Sequence, residues 1–177
     1  MTVKAGQRSD EWVFLTYSLP RDPSAPRLAL WRKLRRLGVA QLADGLVALP
    51  ADARTREQLE WAAEEVAEAG GTAGVWLARP TTRAQERQVA RAMDAARGDE
   101  YAAIIAEARA ALGAPEPERA RAVRRLRAEL HRIERRDYFR PPQRDEARQV
   151  LRELAERAGA VDEAVTVDET VAGGAVS

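Results

Sequence analysis

The sequence has no cysteine, which excludes disulfides, thiolate metal ligands and thiol redox chemistry on this chain. Histidine occurs once, as His131. One imidazole and no thiol leave no zinc-binding spacing and no Ser/His/Asp or Cys/His arrangement, so no metal site and no catalytic residue is assigned. Neither a P-loop nor a GxGxxG stretch is present. No run approaches the roughly 20 apolar residues that span a bilayer, so no membrane partner is expected. Met1 to Asp10 is short and polar. It lacks the apolar run of a secretory signal, and a cytoplasmic location is expected. Lysine is scarce: only Lys4 and Lys33 stand among 29 basic residues. An excess of either sign is missing too, since 28 acids leave a net charge of +1. The molecule as a whole is therefore not a polyelectrolyte partner for nucleic acid.

What is present is arginine, and a chain of 177 residues that is 45% hydrophobic. That length fits one compact domain, or a smaller one with a helical extension. Glu11 to Leu19 is aromatic and β-branched and reads as a strand. Pro20 stops it, and Arg21 to Pro26 reads as a turn. Ser24 is placed to cap a helix over Arg27–Leu37, with Pro26 at its start and Gly38 at its end. Val39–Ala43 and Leu46–Leu49 read as a hairpin around Asp44-Gly45. Thr55, with Gln58 three residues on, reads as the capping box of a helix over Thr55–Ala69 that stops at Gly70-Gly71. Thr72–Ala78 reads as a fourth strand. The order β-α-β-β-α-β predicts an α+β, ferredoxin-like sandwich over 11–80.

From Thr81 the pattern is helical only. Segments over Thr82–Arg97 and Asp99–Leu112, broken near Gly98, precede a long helix over Glu118–Arg136 and a last one over Asp145–Ala158. The expected domains are the sandwich and an all-helical C-terminal extension over 81–158. Residues 1–10 and 159–177 are expected to be disordered. Val123, Leu126, Leu130 and Ile133 follow the 3-4-3 spacing of a helix seam, open to a partner or a second copy.

Two basic clusters stand out. Arg32, Lys33, Arg35 and Arg36 crowd the first helix, behind Arg27. Eight arginines lie between Glu118 and Arg136, among them Arg121, Arg124, Arg125 and Arg132. Such rows contact phosphates in nucleic-acid binders, but on amphipathic helices they are commonly only a solvated face. The four tryptophans read mostly as core, with Trp61 off the apolar stripe of its helix as a surface contact.

The stretch YSLPRDPSAPRLALWRKLRRLG at 17–38 resembles the N-terminal domain of the chromate-resistance protein ChrB. A strand ends in Tyr17-x-x-Pro20. A turn with Pro23 and Ser24 follows, then Arg27-x-x-x-Trp31-Arg32-x-Leu34-x-x-Leu37-Gly38. The similarity continues through Asp44-Gly45, Leu49-Pro50, Thr55 to Gln58, Trp61, Gly70-Gly71, Asp99 to Tyr101 and Glu134 to Phe139. A weaker, fold-level similarity links it to PaaX-type repressors. The strand after Asp44-Gly45 departs from the pattern, reading LVALP where an aromatic is expected.

The resemblance implies a regulator of chromate resistance, binding DNA, chromate or another oxyanion, with no resident cofactor. Family members often carry a second, C-terminal domain, which implies a separate chain as a partner; a homodimer is the alternative expected from the Val123–Ile133 seam. Without thiols, binding and not reduction is the act expected toward chromate. Ser24 and Arg27, at the start of the first helix, are the candidate oxyanion ligands. A protein-interaction module built on the Val123–Ile133 seam is the second reading. A metal-dependent nuclease using Asp22 is the third, although Asp22 reads better as a turn residue.

Overall fold

A computed structural model describes the backbone of residues 11–171 and the side chains of residues 11–159. The elements run β1 (Trp12–Ser18), α1 (Ala25–Leu37), β2 (Ala40–Ala43), β3 (Leu46–Pro50), α2 (Ala53–Glu68), β4 (Thr72–Ala78), α3 (Arg83–Ala111), α4 (Glu116–Glu134) and α5 (Gln143–Val171). The protein is mixed α and β, with a four-stranded antiparallel sheet in the order β2-β3-β1-β4. The described chain forms two compact units that divide between Met93 and Asp94, inside α3. Residues 1–10 and 172–177 lie outside the described residues, and with them that part of the expected disorder. The expected stop at Gly159 does not occur, because α5 continues as backbone to Val171.

In the first unit β1 is the middle of the sheet. Val13 pairs with Leu49 and Leu77, and Leu15 with Val47 and Val75. Period-two alternation puts these side chains on one face, and Val13, Leu15, Val47 and Leu49 are fully buried. Leu30 and Leu34 of α1, with Leu59, Ala62 and Val66 of α2, are the buried apolar positions of the two helices. The opposite face carries Trp12, Phe14 and Ala48. Gln85, Gln88 and Val89 of α3 close a cavity of about 310 Å³ against it.

Both expected caps need correction. Asp52, not Thr55, caps α2: its carboxylate accepts from the Thr55 backbone N–H at 2.6 Å, and the Thr55 hydroxyl accepts from the Asp52 N–H at 2.9 Å. Thr55 sits one turn inside, buried, and donates its hydroxyl to the Pro50 carbonyl at 2.7 Å. The box closes three residues earlier because Asp is at least as good a cap as Thr and its extended backbone aims the side chain correctly. Ser24 does hold the N-cap position of α1, but its helical dihedrals turn the hydroxyl away and it makes no capping bond.

Gly98 does not break α3. A Cβ there would meet the Gln143 side chain at 3.2 Å, so the glycine serves close packing and not termination. The second unit, from Asp94 on, buries Ile104, Ile105 and Ala108 of α3 with Ala147, Leu151 and Leu154 of α5. The seam expected to await a partner lies in this core. Val123, Leu126 and Ile133 are buried and Leu130 packs against them. α5 of the same chain lies along α4, which corrects the dimer-seam expectation: the apolar stripe is filled from within.

The tryptophans correct another expectation. Trp12 alone is core, while Trp31, Trp61 and Trp76 are about half exposed. Among the described residues no helix is long and apolar enough to cross a membrane.

Candidate functional site

The end of β1, the β1–α1 turn, the first turns of α1 and the tip of the β2–β3 hairpin surround a cavity of about 800 Å³. Tyr17, Ser24, Arg27, Trp31, Gln41 and Asp44 line it. The volume falls in the range of small-molecule sites, and it exceeds what one tetrahedral anion fills. The hairpin tip is held against β1 by the Tyr17 backbone N–H, which donates to the Gly45 carbonyl at 2.7 Å. Gly45 has φ +72, and a Cβ there would lie 2.3 Å from the Tyr17 carbonyl oxygen. Only glycine lets the tip come this close.

The two residues expected to hold an oxyanion, Ser24 and Arg27, both face this cavity. Both are exposed. Among the described residues, neither the Ser24 hydroxyl, which makes no capping bond, nor the Arg27 guanidinium has a partner. The start of α1 carries no acidic residue, so its dipole favours an anion. Asp44 opposes this from the hairpin side, because its carboxylate shares the cavity. Reading the sequence missed Asp44, Tyr17, Trp31 and Gln41 as cavity residues: Asp44-Gly45 was fully explained as a turn, and the others as sheet and helix faces. The signal that could have found them is the common end of the sheet to which β1 and the hairpin both lead.

The eight basic candidates divide in two. Lys33 is spent on Glu65 at 2.6 Å, Arg125 on Glu107 at 2.5 Å, and Arg132 on Glu129. Arg35 stacks over the Trp31 ring, 4.8 Å from its centre. Arg32 and Arg36 on α1, and Arg121 and Arg124 on α4, are exposed, with no partner among the described residues. Each pair lies three or four residues apart, on one side of its helix. Four of the eight candidates are thus without a partner among the described residues, and Arg125 and Arg132 form only exposed surface pairs.

The motifs at 99–101 and 134–139 meet in the second unit. The Tyr101 hydroxyl donates to Asp137 at 2.9 Å. Glu100 takes Arg97 at 3.1 Å and Arg136 at 3.0 Å. Glu134 takes Arg148 at 2.6 Å and, at 3.7 Å, Arg144, which lies equally far from Asp137. Asp137 also accepts from the backbone N–H groups of Phe139 and Arg140, fixing the chain between α4 and α5. Burial pushes the Tyr101 hydroxyl far above its ordinary pKa, helped by the bond to Asp137. Burial lowers that of Arg97, and Arg136 beside it adds to the effect. The carboxylates of Glu100, Glu134 and Asp137 are all engaged and clasp the two motifs together, while the buried Nε atoms of Arg97, Arg136 and Arg144 have no hydrogen-bond partner among the described residues.

Asp22, the nuclease candidate, is exposed in the β1–α1 turn. Among the described residues no three His, Asp or Glu side chains gather where they could hold a metal ion. His131 is exposed on α4.

The geometry thus defines a mixed α/β protein with an open polar cavity at one end of its sheet. The family model described as Protein ChrB, N-terminal matches residues 27–170, and the chain belongs to that family, the one tied to chromate resistance. Arg27, Trp31, Asp44 and Gly45 lie inside the match, while Tyr17 and Ser24 precede it. No curated protein matches the sequence.

Proposed function

We propose that this chain is a non-enzymatic, cytoplasmic regulatory module of chromate resistance that binds a tetrahedral oxyanion between Ser24 and Arg27. The observation that carries the reading is the convergence of that hydroxyl and that guanidinium, both without a partner among the described residues, on one cavity also lined by Tyr17, Trp31 and Gly45. An arginine fork and a hydroxyl complement an oxyanion. The cavity is open, so the anion keeps part of its hydration and affinity is modest. The sheet order β2-β3-β1-β4 within β-α-β-β-α-β supports a ferredoxin-like sandwich, with the α3–α5 helices as its extension. Contact with DNA falls to Arg32 and Arg36 of α1 and Arg121 and Arg124 of α4, as contacts to phosphates and not to bases.

Isothermal titration with chromate and with sulfate tests the site. Arg27→Ala is expected to weaken binding at least tenfold, and Asp44→Asn to tighten it by removing the opposing charge. An Arg27→Ala protein that binds as tightly as wild type would sink the site. Filter binding to the chain's own upstream DNA, across a salt series with and without chromate, tests regulation. Specific retention that chromate releases is expected. Retention no better than that of random DNA, with or without the anion, would retire the regulator reading.

A further inference from the structure

The sheet has two edges, and they are not alike. β2 is short, four residues long, and its register with β3 shifts between Gln41 and Ala43. The Gln41 side chain donates to the Ala43 carbonyl at 2.9 Å. A short, irregular edge is how proteins prevent further pairing. β4 is seven residues long and pairs with β1 at all seven positions without a shift. Its sequence, TAGVWLA, has no charge and no proline. Trp76 and Leu77, pointing to opposite faces, are 59% and 54% exposed. The outer main chain of β4 has no strand beside it among the described residues. Nothing in this strand guards it against pairing.

We infer that β4 is a homodimerisation edge, which pairs antiparallel with β4 of a second copy about a two-fold axis at Val75. The sequence is self-complementary in that register. Trp76 falls opposite Gly74, Leu77 opposite Ala73 and Ala78 opposite Thr72, so every large side chain faces a small one. Within each copy the Trp76 indole already leans over its own Gly74, where a Cβ would sit 3.0 Å from Nε1, and donates to the Thr16 hydroxyl at 3.2 Å. The flanking charges select the same direction. Exposed Glu68 precedes the strand, and Arg79, which is exposed but paired with Glu11 of its own chain at 3.2 Å, follows it. Antiparallel pairing brings the acidic end of one copy to the basic end of the other, whereas parallel pairing sets like charges together.

The exposed parts of Trp76 and Leu77 amount to roughly 250 Å² per copy. That is well below the roughly 800 Å² per partner of a standard interface. Main-chain hydrogen bonds along a strand about 23 Å long must supply the rest. The expected dimer is therefore weak, with a dissociation constant on the order of micromolar. This inference stands apart from the anion reading, because no residue of the cavity takes part.

Sedimentation velocity on the full chain, over a hundredfold range of concentration, should show a reversible monomer–dimer equilibrium. Leu77→Lys, at a side chain already half in solvent, should shift it at least tenfold toward monomer with an unchanged melting curve. The absence of native cysteine allows a second reading. Val75→Cys, under mild oxidation, should give a disulfide-linked dimer on a non-reducing gel, because only the residue on the axis meets itself. Thr72→Cys should not. A wild-type chain that stays monomeric, a dimer that survives Leu77→Lys, or a dimer in which Val75→Cys fails to cross-link would each overturn the proposal.

Discussion

Two glycines with nearly the same dihedral show how much a single position depends on its neighbours. Gly45 and Gly70 have φ +72 and +74, but a Cβ at Gly45 would strike the Tyr17 carbonyl, while at Gly70 it meets nothing within 4 Å. Gly70→Ala is expected to cost only the left-handed strain, about 1 kcal/mol. Gly45→Ala adds a backbone clash and should cost about 3 kcal/mol or more, and weaken anion binding with it. Chemical denaturation of the two variants checks the order. Tyr101 gives a second test. Its raised pKa means that the folded state keeps the proton that the unfolded chain releases near pH 10. Its contribution is complete below that pH and is lost as pH rises further. In an alkaline spectrophotometric titration, the Tyr101 phenol should ionise only as the chain unfolds, and Tyr101→Phe should flatten the fall in stability above pH 10. Ser24 and Arg27 were legible in the sequence as neighbours on one turn. Asp44, 17 positions beyond Arg27, was not, because only the folded sheet brings the hairpin tip to the same cavity.

At the scale of elements, alternating and helical periodicities located every strand and helix of the first unit, since each buries one face against a neighbour. What they could not locate was the chain's choice between competing local bonds. Asp52 and Thr55 are both capping residues, and the outcome rests on a backbone dihedral that no spacing encodes. Asp52→Ala is expected to lose about 1 kcal/mol of stability. Gln58, which the sequence placed in the cap, makes no bond through its buried Oε1, so Gln58→Ala should lose less; a larger loss would restore the first assignment. α4 shows the other limit. The stripe Val123, Leu126, Leu130 and Ile133 announced an apolar partner, but the pattern is identical whether that partner is α5 or another molecule. Leu126→Ala should cost roughly 2–5 kcal/mol as a core deletion, with no change in sedimentation.

At the scale of the molecule, the two units each bury their own core, one centred on β1 and the other on α3, α4 and α5. Hydrogen exchange should therefore show two separate sets of slow amides, one around Val13, Leu15 and Val47, the other around Ile104, Leu126 and Leu154. A single slow set would contradict this division. The change from mixed to purely helical pattern was visible in the sequence near residue 81. The division at Met93 was not, because α3 runs through it without a local signal. The unequal burial of the four tryptophans has an optical consequence. Trp12 lies in the core, Trp31 on the cavity beside Arg27, Trp61 on α2 and Trp76 at the open sheet edge. The chain thus carries its own chromophores at each surface of interest, and their emission can be told apart by single Trp→Phe replacements. A coloured anion near Arg27 should drain light from Trp31 and spare Trp61, while contact along β4 should shift Trp76 toward the blue: two events, two colours, and no added dye.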